Sequence, residues 1–158
     1  LHGTKVGLAT QYTVALYNEM ASIDPDSINI EQLIRERPGY DEWCKEVRQA
    51  FGPIAEEVIK EKGRKDWEPG VYQQRLYTIK QKWNEEIRPI LLSVPPLKTV
   101  KEYLYKAGGD FSYAALNIEQ ALIRQALLHA KEIRTRYTIL GLASDLGILP
   151  QCIEKINM

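Results

Sequence analysis

The stretch LHGTKVGLATQYTVALYNEM, residues 1–20, decides the fold class. Val6, Ala9, Thr13, Leu16, Tyr17 and Met20 recur at three- and four-residue steps, the spacing that gathers side chains on one face of an α-helix. The same rhythm returns further along the chain, between clusters of turn formers. Asp24-Pro25-Asp26-Ser27 ends the first run, since Asp, Pro and Ser favour turns over helix interiors. Ile30 to Arg37 is a short helical candidate closed by Pro38-Gly39. Asp41 is placed to cap a helix through Trp43, Val47, Ala50 and Phe51. Pro53 is placed to open the next, from Ile54 to about Glu61.

The longest run, Val71 to Leu92, carries Tyr72, Leu76, Ile79, Trp83, Ile87 and Ile90 or Leu91 on one stripe. Pro89 lies inside it and predicts a kink or break near its end. Pro95-Pro96 separates this run from Val100–Ala107, which stops at Gly108-Gly109, a natural left-handed cap. Asn117 reads as the cap of a strong helix, with Gln120 as its capping-box partner and Ile118, Leu122, Ala126, His129 and Ile133 as its inner face. Thr138 to Leu146 forms a further short helix ended by Gly147, and Pro150 opens a terminal turn. There is no convincing alternating strand, internal repeat or low-complexity tract. The predicted fold is all-α, a bundle of about seven helices.

Composition narrows the function classes. Lys plus Arg and Asp plus Glu number 21 each, so no net field draws the chain to nucleic acid or an anionic membrane. No apolar run approaches the ~20 residues that span a bilayer, and no secretory signal pattern opens the chain. Cys44 and Cys152 stand far apart, outside any C-x-x-C pair, and read as free thiols of a reducing compartment, with the cytoplasm as the expected setting. Glycine-rich nucleotide loops, H-E-x-x-H and G-x-S-x-G are all missing. The chain starts at Leu1 and runs at once into a helical pattern, so it is read as beginning within a longer protein.

Two segments say more. Leu1-His2-Gly3-Thr4-Lys5-Val6-Gly7-Leu8-Ala9-Thr10 resembles the L-H-G-E-K-V-G-x-x-T segment of the iron-containing alcohol dehydrogenase superfamily, and its sn-glycerol-1-phosphate dehydrogenase branch most closely. Leu122 to Leu140, containing Ile133-Arg134-Thr135-Arg136-Tyr137-Thr138, is similar to that branch's A-L-x-x-A-x-x-I-R-x-R-Y-T-x-L signature. Leu97 to Gly109 is similar to the helix ending in A-G that precedes it. The likeness covers the first twenty residues and the last sixty. About Ile23 to Val94 it weakens, and this part looks like a longer helical insertion of bacterial relatives. Thr4 departs from the pattern, standing where the family commonly has Glu; the histidine and the helix rhythm are unaffected.

The resemblance implies that residues 1–158 are the helical half of a two-domain enzyme whose α/β nucleotide-binding domain comes earlier in sequence. It further implies a divalent metal (zinc, nickel or iron) held by one aspartate and two histidines, of which His2 is one. Imidazole suits that role, being neutral near pH 7 with one nitrogen for the metal and the other for an orienting partner. Three protein ligands leave a position for the substrate oxygen, which the metal polarises as a Lewis acid. NAD or NADP would exchange hydride with the carbon bearing that oxygen. The implied reaction interconverts dihydroxyacetone phosphate and sn-glycerol 1-phosphate, with the full-length protein a homo-oligomer and this fragment inactive alone.

Lys5, Arg134, Arg136 and Tyr137 are candidates for contacts to the substrate phosphate or a subunit interface, because guanidinium matches phosphate geometry. Each has a plainer reading: Lys5 as an exposed lysine, the arginines as ion-pair partners of Glu132 or Asp145. His129 reads as a packed, hydrogen-bonded histidine rather than a ligand. Trp43, Trp67 and Trp83 read as helix-packing residues. Two rival functions remain in view: another polyol dehydrogenase of the superfamily, and a helical interaction module without chemistry.

Overall fold

The computed structural model describes residues 2–109 and 111–156. Among them the chain is all-α, with ten α-helices and no strand. They are α1 (His2–Met20), α2 (Ile30–Glu36), α3 (Tyr40–Phe51), α4 (Ala55–Lys62), α5 (Val71–Lys82), α6 (Arg88–Ser93), α7 (Leu97–Lys106), α8 (Gln120–His129), α9 (Ile139–Asp145) and α10 (Leu149–Lys155). The count exceeds seven because proline-led segments resolve into separate helices. Pro89 falls in the first turn of α6, and Pro150 in that of α10.

The long stripe of the sequence forms the centre of the main core. Tyr72, Leu76, Ile79 and Trp83 are all buried, joined by Leu91 rather than the exposed Ile90. They pack with Leu16 and Met20 of α1, Leu142 and Ala143 of α9, and Leu149, Cys152 and Ile153 of α10. The break associated with Pro89 lies one turn upstream. Trp83–Ile87 is a π-helical turn, in which the Arg88 N–H donates to the Trp83 carbonyl. Pro89 has no N–H for the carbonyl four residues back, and its ring crowds that group; the wider turn accommodates both effects.

The α3–α4 hairpin has its own core of Trp43, Cys44, Val47, Ala55, Val58 and Ile59. Tyr40 and Trp67 flank it, the Trp43 and Trp67 ring centroids standing 4.5 Å apart. All three tryptophans therefore pack between helices, as expected. Gly39, not Asp41, precedes the first turn of α3, and Asp41 instead lies within that turn, where a negative charge still favours the helix dipole. Both cysteines are free and buried.

A third cluster joins Leu8 and Tyr12 of α1 to Ile123 of α8, and here three expectations fail. Asn117 does not cap α8: it adopts φ 52°, and the Ile118 N–H closes back on the Tyr113 carbonyl. Asn tolerates this left-handed conformation better than most residues, so the chain turns where a helix was expected to begin, and α8 starts at Gln120 behind Glu119. The inner face is rotated too. Leu122 is 62% exposed and Ile133 is exposed, while Ile123 is 9% exposed. On α1, Val6, Ala9 and Thr13 face outward and Gly7, Leu8, Gln11 and Tyr12 face inward.

Candidate functional site

His2 lies in the first turn of α1, exposed, and its side chain makes no hydrogen bond or ion pair among the described residues. Lys5, about one turn along, is equally exposed. Gly7 marks a close approach. A β-carbon there would meet the Phe111 ring at 2.1 Å, and one on Gly109 would meet the other side of that ring at the same distance. The buried Gln11 holds the segment down, its Nε2 donating to the Phe111 carbonyl at 2.9 Å. The second glycine of the opening motif is thus a slot for an aromatic ring 104 positions later in the sequence.

Arg136 and Tyr137 belong to a different place. They line a cleft of about 860 Å³ between the α3–α4 hairpin and the main body. Leu16 and Met20, which share the main core with α9, lie 14 and 18 residues along α1 from His2, roughly 21–27 Å at the rise of an α-helix. Neither His2 nor Lys5 lines this cleft. The structure brings Arg136 and Tyr137 together and leaves the His2 turn apart from them.

Asp145, at the end of α9, organises the cleft floor. Its Oδ2 accepts from the Tyr137 hydroxyl at 2.8 Å and from Arg75 Nη1 at 3.2 Å, while its carbonyl accepts from the Tyr72 hydroxyl at 2.7 Å. Arg75 also donates to Asp66 Oδ1 at 2.5 Å. Burial, then the nearby Asp145 charge, pushes the Tyr72 phenol up to about 12 and raises that of Tyr137 as well. Tyr137 keeps an open ring face and turns its hydroxyl inward. Glu132 is held by Lys62 and Lys131.

The expected ion pairs of Arg134 and Arg136 with Glu132 or Asp145 do not form, because closer cations and hydroxyls already occupy both carboxylates. Both arginines are exposed. His129 ends α8 and packs edge-on to Phe51, ring centroids 6.3 Å apart. Burial lowers its pKa; its imidazole makes no hydrogen bond among the described residues, contrary to expectation.

Sequence reasoning missed Arg37. Its guanidinium lies 4.1 Å from the Tyr72 ring centroid and 5.0 Å from that of Trp67, and Nη1 donates to the Asp66 carbonyl at 2.7 Å. Only a half-buried arginine just before Pro38-Gly39 marked it, and burial is not visible in one sequence.

Among the described residues no group of three or more His, Cys, Asp or Glu is placed to hold an ion. The described residues by themselves therefore do not supply a three-ligand centre, and His2 offers one imidazole at most.

Over part of its length the sequence of this all-α chain is similar to an oxidoreductase. The relative is the glycerol-1-phosphate dehydrogenase (NAD(P)+) of Bacillus licheniformis, 34% identical over 71 residues, which make up 45% of this chain and 18% of that protein. The chain thus aligns with less than a fifth of the length of the curated relative it matches. No family profile matches the chain, and no solved structure matches it. No helix among the described residues is long and apolar enough to cross a membrane.

Proposed function

We propose that this chain is the helical part of a metal-dependent, NAD(P)-linked dehydrogenase that interconverts dihydroxyacetone phosphate and sn-glycerol 1-phosphate. The observation that carries the reading is the partial likeness to the Bacillus licheniformis enzyme, in a chain that opens with His2-Gly3 and carries Arg134-Thr135-Arg136-Tyr137-Thr138 near its end. In this reading His2 supplies one ligand and the remaining ligands come from outside residues 1–158, as does the nucleotide site. The position of His2 is compatible with that role: its imidazole is exposed and has no partner among the described residues to compete for it. The isolated chain then turns over nothing and binds divalent metal weakly.

The test is NADH and NADPH oxidation by the full-length protein with dihydroxyacetone phosphate, before and after chelation and metal restoration. Metal-dependent turnover, lost in His2→Ala, is the expected result. An exposed residue without hydrogen bonds contributes little to folding, so this variant should unfold with wild-type urea dependence and its loss of turnover reads the ligand role. Turnover of glycerol without phosphate would move the assignment to a polyol dehydrogenase of the same superfamily. Tight stoichiometric zinc or nickel binding by residues 1–158 alone would contradict the shared-ligand reading.

A further inference from the structure

We infer that the cleft between the α3–α4 hairpin and the main body is a binding site for a small phosphate-bearing ligand, with Arg37 as its anchoring cation. The site is separate from the His2 turn, and the inference does not depend on the proposed dehydrogenase activity.

Asp66 and Asp145 both accept from Arg75, and Asp145 also accepts from Tyr137. Glu132 is taken by Lys62 and Lys131. The half-buried carboxylates of the cleft therefore all have partners. The cations do not balance in the same way. Arg37 donates to one backbone carbonyl and has no carboxylate within ion-pair distance. Lys65 and Arg136 line the same cleft, and their side chains make no hydrogen bond or ion pair among the described residues. Glu36, Glu46, Lys65 and Arg136 are all exposed, so Arg37 is the half-buried charge of the lining left without an ion pair among the described residues.

A half-buried guanidinium without a counter-charge is costly, because burial removes water from a group that cannot readily lose its proton. Burial does work against the charge of Arg37, and Asp145 and Asp66 only partly offset it from beyond contact. The faces of Tyr72 and Trp67 fix the plane of the guanidinium, which leaves a forked set of donors in a set orientation. That arrangement suits bidentate recognition of an oxyanion. A phosphate monoester meets the guanidinium fork with two oxygens and keeps a third for the exposed Lys65 or Arg136 that line the same cleft, one more than a carboxylate offers. A volume of about 860 Å³ is in the range of sites that enclose small metabolites.

Tryptophan fluorescence tests the assignment, since Trp43 and Trp67 line the cleft and Trp83 is sealed in the main core. Inorganic phosphate is the probe, with acetate at equal ionic strength as the comparison. The expected result is a saturable response to phosphate and none to acetate. Affinity should fall at least about tenfold in Arg37→Met, the scale of a lost charge-assisted hydrogen bond. Arg37→Lys should also bind more weakly, because it retains charge without the planar fork. Should Arg37→Met not fold, the exposed pair Lys65→Gln with Arg136→Gln still tests the site, and it should weaken phosphate binding several-fold without changing the unfolding midpoint. A linear response, an equal response to acetate, or unchanged affinity in the folded variants would overturn the proposal.

Discussion

The ring of Phe111 occupies the space that any side chain on Gly7 would need, with Cδ1 standing 2.1 Å from where that β-carbon would be. The two residues are tied a second time through Gln11, one turn beyond Gly7, whose amide donates to the Phe111 carbonyl. Gly7 sits in the interior of α1, where glycine costs roughly 1 kcal/mol relative to alanine. The contact explains why so unfavourable a helix residue stands there.

Gly7→Ala should therefore destabilise the protein in spite of better helix propensity. The added methyl must displace an aromatic ring, and overpacking of this kind costs about 1–3 kcal/mol. Combined with Phe111→Ala, the same substitution should become neutral or stabilising relative to Phe111→Ala alone. Urea unfolding of the four members of this cycle measures the coupling, and additive effects would contradict the contact.

The two phenols at Asp145 predict a loss of stability at high pH. Tyr72 has a folded pKa of about 12 against an ordinary value of 10.0, and Tyr137 shifts in the same direction. Between those values the unfolded chain has released the Tyr72 proton while the folded chain retains it. Rising pH then favours unfolding. The contribution of Tyr72 is complete below about pH 10 and is lost as pH rises through about 12. Tyr72→Phe and Tyr137→Phe should each flatten the decline in this window relative to wild type. Tyr72→Phe should also cost about 1 kcal/mol near pH 7, the net worth of its hydrogen bond to the Asp145 carbonyl.

Asp145→Ala should be the most damaging single change in the cleft. It removes the acceptor shared by Arg75 and Tyr137 and leaves both donors partly desolvated. Full burial would put the cost at about 3–5 kcal/mol; with side chains of Asp145 and Arg75 at 14% and 24% exposure, about 1–3 kcal/mol is expected after allowance for solvent screening. Asp145→Asn should lose less, because the amide oxygen still accepts. Denaturant midpoints near pH 7 separate the two variants.

The parts of the fold legible in the sequence were those set by local periodicity. Tyr72, Leu76, Ile79 and Trp83 follow one another at helical spacing and are buried together. Gly108 and Gly147 follow α7 and α9 closely, both with positive φ. What stayed hidden depends on contacts between distant positions. Gln11 meets Phe111 across 100 residues, and Arg75 meets Asp145 across 70, and no local pattern encodes either pair. The opening motif was read for its histidine, while the steric role of Gly7 could emerge only once Phe111 was placed against α1.

The face of α8 gives a direct check on this difference. Periodicity placed Leu122 inward, whereas the structure places Ile123 against Leu8 and Tyr12 and leaves Leu122 in solvent. The left-handed Asn117 delays the start of the helix to Gln120, and the side chain that meets α1 is then set by the turn rather than by the apolar pattern. Ile123→Ala should cost about 2–4 kcal/mol as a cavity-forming core change. Leu122→Ala should stay within about 0.5 kcal/mol of wild type, as exposed substitutions do. Unfolding midpoints of the two variants decide between the registers, and a larger loss for Leu122→Ala than for Ile123→Ala would restore the face expected from sequence and displace the one described for α8.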